Sequence, residues 1–242
     1  MPLLWTLLWM SVTGADVSER ASSMTITLHV DAQGAGRLEL SMGGDGIDPT
    51  HPGKRVPSTP AFSQDLAKAW AQQMGPGAKL VSYQRQPRKN GGLYETMVVE
   101  IADFNHFEMP QPKATDAPLH TQFRKLPDGH GVLSVFPSHA RQRISTIAPG
   151  TPAALAFGSI HYGIYVDVEG KVVRTDAPAV AGARVTIGEL DTAPLVKTAD
   201  GCQLLMAVMN NELETAKPLL PKFPQVKQTL KVPIEVEIAP AK

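Results

Sequence analysis

Residues 159–175, SIHYGIYVDVEGKVVRT, decide the fold class. Ile160, Tyr162, Ile164, Val166 and Val168 occupy every second position, with His161, Tyr165 and Asp167 among the residues between them. Successive side chains leave a strand on opposite sides, so a period of two marks a strand with one buried face. Glu169-Gly170 then offers turn chemistry, and residues 171–175 are expected to return as the partner strand of a hairpin. Residues 183–190 (ARVTIGEL) read as a further strand.

The same pattern recurs outward from this stretch. Residues 24–30 (MTITLHV) alternate, the Asp- and Gly-bearing segment 31–36 turns, and residues 37–42 (RLELSM) alternate again. This is a β-hairpin. Residues 79–85 and 93–101 form a second hairpin across an Asn-Gly turn, and residues 123–126 and 132–136 form a third. Residues 103–109 read as one helical turn. Residues 229–238 (TLKVPIEVEI) close the chain as a strand, with Pro233 expected to place it at an edge or a bulge.

Helical signals are few. In residues 61–74 (AFSQDLAKAWAQQM), Phe62, Leu66, Trp70 and Met74 recur every four positions and predict an apolar stripe that buries Trp70 against the sheet. Residues 195–220 carry the remaining helical material. Strands joined by tight turns, with helices set apart from them, exclude a βαβ parallel sheet. The expected class is α+β: a mainly antiparallel sheet built from hairpins with one or two packed helices. No linker or composition shift divides residues 16–242, which read as one domain after a signal segment at 1–15.

That segment, MPLLWTLLWMSVTGA, is an apolar run of about ten residues followed by small residues, too short for the ~20 that span a bilayer. It reads as an export signal and predicts a periplasmic or extracellular protein with no transmembrane span in the mature chain. Lys plus Arg equals Asp plus Glu at 23 each, so no net field draws the chain to nucleic acid. The cluster of Arg85, Arg88 and Lys89 with Arg124 and Lys125 reads as solvated loops. Cys202 is the single cysteine, which excludes an internal disulfide, and its apolar setting marks a small buried side chain.

Three segments taken in order carry a resemblance: TITLHVDAQGAGRLELSM, then LVSYQRQPRKNGGLYETMVVEIADFNHF, then GIYVDVEGKVVRTDAPAVAGARVTIGEL. Over about residues 24–190 this order resembles the LppM-like family of bacterial envelope proteins, often lipid-anchored. The resemblance implies an α+β envelope domain that meets lipid or glycolipid, with no catalytic residues to carry over. The chain differs from that family in lacking a lipobox cysteine and in ending its strand at Leu190 where a tryptophan is expected.

Chemical motifs are sparse. His29, His51, His106, His120, His130, His139 and His161 are scattered, with no His-x-x-x-His. Asp128, His130 and His139 come closest to a ligand set, but they flank a hairpin turn where polar residues are ordinary. No Gly-x-Ser-x-Gly elbow is present, and Ser159 with His161 begins a strand of strong core alternation. Gly43-Gly44-Asp45-Gly46 lacks the Lys-Ser/Thr of a phosphate loop. Glu95, Glu100 and Asp103 read as exposed strand acids.

No catalytic residue, metal site or cofactor is therefore assigned. The expected function is a non-catalytic module that binds a ligand, either a lipid or an envelope protein. Its site is expected where the stripe of Phe62, Leu66 and Trp70 lies over a sheet face containing Tyr162. The competing expectation is a hydrolase or metal enzyme whose residues meet only in three dimensions.

Overall fold

The computed structural model describes residues 21–44, 62–87, 92–110, 119–137, 146–151, 154, 157–158, 160–210, 212–228 and 231–241. The signal segment, His51, His139 and Ser159 lie outside them. The strands are β1 (Ala21–Asp31), β2 (Gly36–Gly44), β3 (Lys79–Pro87), β4 (Leu93–Ile101), β5 (His120–Lys125), β6 (Gly131–Phe136), β7 (His161–Thr175), β8 (Ala179–Ala181), β9 (Arg184–Asp191), β10 (Lys227–Gln228) and β11 (Ile234–Pro240). The helices are α1 (Gln64–Gln72), α2 (Ala199–Met209) and the short α3 (Leu213–Ala216), with 3-10 turns at Phe104–His106, Leu195–Lys197 and Leu220–Lys222.

The strands follow the order β3-β4-β2-β1-β7-β11-β6-β5, with β9 also pairing β7 and carrying β8 and β10. The hairpins β1–β2, β3–β4 and β5–β6 form as their alternation and turns predict. The α+β class holds, but the sheet is mixed, because β1 runs parallel to β7 from Ser23–His161 to Asp31–Glu169. Local hairpin signals cannot show a parallel pair, whose partners lie far apart in sequence.

The expected hairpin across Glu169-Gly170 is corrected. Residues 161–175 are one continuous strand. Its first part pairs with β1 and β9, and residues from Gly170 to Thr175 pair with β11. Gly170 has φ +144°, and a Cβ there would lie 2.2 Å from the Ala239 carbonyl oxygen. The glycine serves a close approach of two backbones, not a turn. The closing strand is corrected in its start and in its place at an edge: β11 starts at Ile234, just past Pro233, and runs in the interior between β6 and β7, with a register shift against β7 at Glu237–Ile238. Proline precedes the ladder, so no ladder N–H is lost.

One face of the sheet forms the core. Ile26, Leu28, Leu38, Val99, Val166, Val236 and Ile238 are all fully buried there, in one cluster with Leu204 and Leu205 of α2. Ser63 caps α1, its Oγ accepting from Leu66 N at 3.1 Å. The helix stripe is rotated from the expected one. Ala67, Ala71 and Met74 are buried with Phe62, whereas Leu66 is 51% exposed and Trp70 is half-buried. Phe62 precedes the Ser63 cap and Met74 follows the Gln73 cap, so helical spacing sets neither, and within the helix Leu66 lies about 100° around the axis from the buried Ala67. Met74→Ala should cost about 2–5 kcal/mol, and Leu66→Ala less than about 0.5 kcal/mol. Urea denaturation of the two variants measures the difference, and equal costs would place Leu66 in the core.

Candidate functional site

The core-facing side chains at one end of the sheet form a row. Strand register sets Arg85 opposite Glu95, Glu95 opposite Met42, Met42 opposite Met24, and Met24 opposite Tyr162. Phe62 sits at the Arg85 end. Along the sheet, four strand spacings of about 4.8 Å separate that end from Tyr162, roughly 19 Å in all.

The four residues expected to share a site therefore do not all meet. Phe62 and Trp70 do, with ring centroids 5.2 Å apart and planes tilted by 43°. Leu66 projects from the same helix into solvent. Tyr162 lies fully within the core at the other end of the row, and among the described residues its hydroxyl has no hydrogen-bond partner. Burial without a partner holds its phenol well above the ordinary pKa.

Beneath Phe62 and Trp70 lies a polar network. The Glu95 side chain, only 6% exposed, makes short contact with the Tyr83 hydroxyl and stands 3.9 Å from Arg85 Nε. Arg85 Nε donates to the Tyr83 oxygen at 3.0 Å, and its Nη2 donates to the Phe62 carbonyl. The Tyr83 oxygen is also 2.7 Å from that carbonyl, and its single proton serves one acceptor at a time. The Phe62 and Tyr83 rings meet edge-on at 6.5 Å. Burial, reinforced by the hydrogen bond to Glu95, raises the Tyr83 pKa against the opposing pull of Arg85.

Chemically this is a place to hold something. It offers an aromatic platform, an exposed leucine, and fixed donors and acceptors at the platform's base. The expectation of an exposed Glu95 is corrected. The signal was present in LYETMVVEI, since period two sets Glu95 on the side of Met97, Val99 and Ile101, all buried.

The histidines lie apart. His106 pairs with Asp103 at 2.7 Å, His120 stacks on Phe136 at 4.5 Å, and His29 stands between Asp167 at 3.7 Å and Glu39 at 3.9 Å. His130 Nδ1 is 3.1 Å from Glu237 and 3.5 Å from Asp128. Among the described residues, no group of three His, Cys, Asp or Glu is placed to hold a metal ion. Cys202 is buried, and burial raises its thiol pKa. Among the described residues, no helix is long and apolar enough to cross a membrane.

On the opposite face, the Tyr165 ring lies over Gly163, where a Cβ would meet it at 2.5 Å. Burial, with Glu189 beside it, pushes the Tyr165 phenol up to about 12 from 10.0. A phenol pKa raised on folding means that the unfolded chain releases its proton first. The associated stability is whole below pH 10 and falls as pH rises toward 12. Urea midpoints measured from pH 8 upward should drop over that window, and Tyr165→Phe should reduce the drop. An equal drop in the variant would exclude Tyr165 as its source.

No family model matches the chain, and no curated protein matches it. Among solved structures, the chain is similar to the folded domain of LppM from Mycobacterium tuberculosis, determined by NMR. The alignment covers 91% of this chain and 90% of that one, with a TM-score of 0.37 and 7% sequence identity. LppM gives its name to the family that the order of hairpins resembles.

Proposed function

We propose that this chain is a non-catalytic binding module exported to the cell envelope, and that it takes an amphipathic, lipid-like ligand at the mouth of α1. The observation that carries this reading is the pairing of a half-buried Trp70 on Phe62 directly above the Tyr83–Glu95–Arg85 network. An apolar body packs on the aromatic platform and on Leu66, which is 51% exposed. Hydroxyl or ester groups of the ligand meet the part-exposed Arg85 guanidinium at its base. The methionines of the adjoining row, Met42 and Met24, are side chains that repack readily around an inserted chain. The apolar run of residues 1–15 supports the export half of the proposal.

Trp70 supplies its own probe. The other two tryptophans, Trp5 and Trp9, fall in the signal segment, so a chain cleaved after it fluoresces from Trp70 alone. Titration with a single-chain lysophospholipid should shift Trp70 emission to the blue and saturate. Leu66→Asp should weaken binding at least tenfold, while an exposed site limits the stability change to about 0.5 kcal/mol. Organic extracts of the natively purified protein should contain lipid by mass spectrometry. Absence of lipid in repeated preparations, with unmoved Trp70 emission, would overturn the proposal.

A further inference from the structure

We propose that a cleft at the C-terminal end of β7 is a second, independent binding site, and that it takes a small zwitterion of the α-amino acid class. Here β6, β11 and the last residues of β7 lie side by side. Ile234, Val236 and Ile238 of β11 turn into the core, which leaves Glu235 and Glu237 on the opposite face. Glu237 pairs in register with Arg174 on one side and with Val132 on the other. The resulting cleft has a volume of about 140 Å³ and is partly open to solvent. Val132, 1% exposed, is its apolar floor.

The charged groups of the cleft divide into two sets. One set is held tightly within the chain. Glu237 Oε1 is 3.1 Å from His130 Nδ1, Asp176 pairs with Lys231, and Asp176 Oδ1 accepts from Glu235 N at 2.8 Å. The Thr175 hydroxyl donates to the Glu235 carbonyl at 2.7 Å. The other set is held loosely. Among the described residues, the closest charged contact of Arg174 is its Nε at 3.5 Å from Glu237, and that of the Glu235 carboxylate is Arg124 at 3.8 Å. Both exceed the ~3.2 Å reach of a good hydrogen bond. Among the described residues, the two Nη groups of Arg174 have no partner, so the planar fork is open.

An open guanidinium and an open carboxylate thus face one small cleft. Arg174 lies opposite Glu237, and Glu235 is two residues further along β11, a diagonal of about 7–8 Å between backbones. Long side chains from those positions converge on a single small molecule. A lone anion would gain Arg174 but meet Glu235 and Glu237. A lone cation would gain Glu235 but meet Arg174 and Lys231. A molecule with a carboxylate and an ammonium on adjacent atoms meets the opposite sign at each end, and its carbon atoms rest on Val132. Free α-amino acids have this form.

Backbone amide shifts of the full chain, followed during titration with glycine, L-alanine, acetate and methylammonium, test the assignment. Glycine and L-alanine should give saturable shifts in β6 and β11, at least tenfold tighter than either single-charge probe. Arg174→Gln and Glu235→Gln should each weaken binding at least tenfold. Their side chains are 72% and 37% exposed, so thermal midpoints should stay at the wild-type value. No saturation with glycine, acetate binding as tightly as glycine, or either variant binding like the wild type would each overturn the proposal.

Discussion

The parallel ladder between β1 and β7 ties two distant stretches of the chain into one sheet. It joins residues 23–31 to residues 161–169, with the second hairpin, α1 and the third hairpin all lying between them in sequence. Closing so long a loop costs conformational entropy. Side chains such as Ile26, Leu28, Val166 and Val168 offset that cost by burial on the shared face. Once β7 is fixed, it carries β9 on its first part and β11 on its last, and β11 carries β6 and β5. A single strand of fifteen residues thus serves two neighbourhoods. The Gly170 position, where β11 comes within 2.2 Å of an absent Cβ, lets it pass from one to the other.

The two proposed sites lie in separate parts of this sheet, the first on β3 and β4, across β2 and β1 from the start of β7, and the second at the last residues of β7. At the start of the strand, the core-facing row runs from Tyr162 through Met24 and Met42 to Glu95, and the polar network there lies under an aromatic pair. At its end, the alternation of β11 puts two glutamates on the outer face beside Arg174. In both places a period-two strand delivers the charged groups. At Glu95 the charge falls on the core side and is satisfied by Tyr83 and Arg85. At Glu235 it falls on the solvent side and is held loosely.

Sequence made the hairpins legible because their partners are local. The alternation of MTITLHV and RLELSM, with the Asp31 carboxylate taking the Gln33 and Ala35 amides in the turn, contains nearly all that the ladder needs. The parallel pair was not legible, since no local residue records a partner more than a hundred positions away. Gly170 misled for a physical reason: a glycine that frees a turn and a glycine that admits a neighbouring backbone look alike in sequence. The α1 stripe misled because Phe62 and Met74 lie outside the helix, while inside it the buried line passes through Ala67 and Ala71, about a quarter turn from Leu66 and Trp70. Of the four expected site residues, Phe62 and Trp70 come together, Leu66 borders them, and Tyr162 lies at the far end of the row. Glu95 was legible by parity with Met97 and Val99, whereas its pairing with Tyr83 and Arg85 required the register of β3.

The account stands on β7 as one cooperative element joining both parts of the sheet. Native-state hydrogen exchange reads this directly, amide by amide. The ladder-bonded amides of residues 162–168 and those of residues 171–174 should exchange only through global unfolding, with the same opening free energy and the same denaturant dependence. If residues 171–174 open instead through a smaller, separate event together with β11, β6 and β5, then the two parts fold independently and the account is wrong.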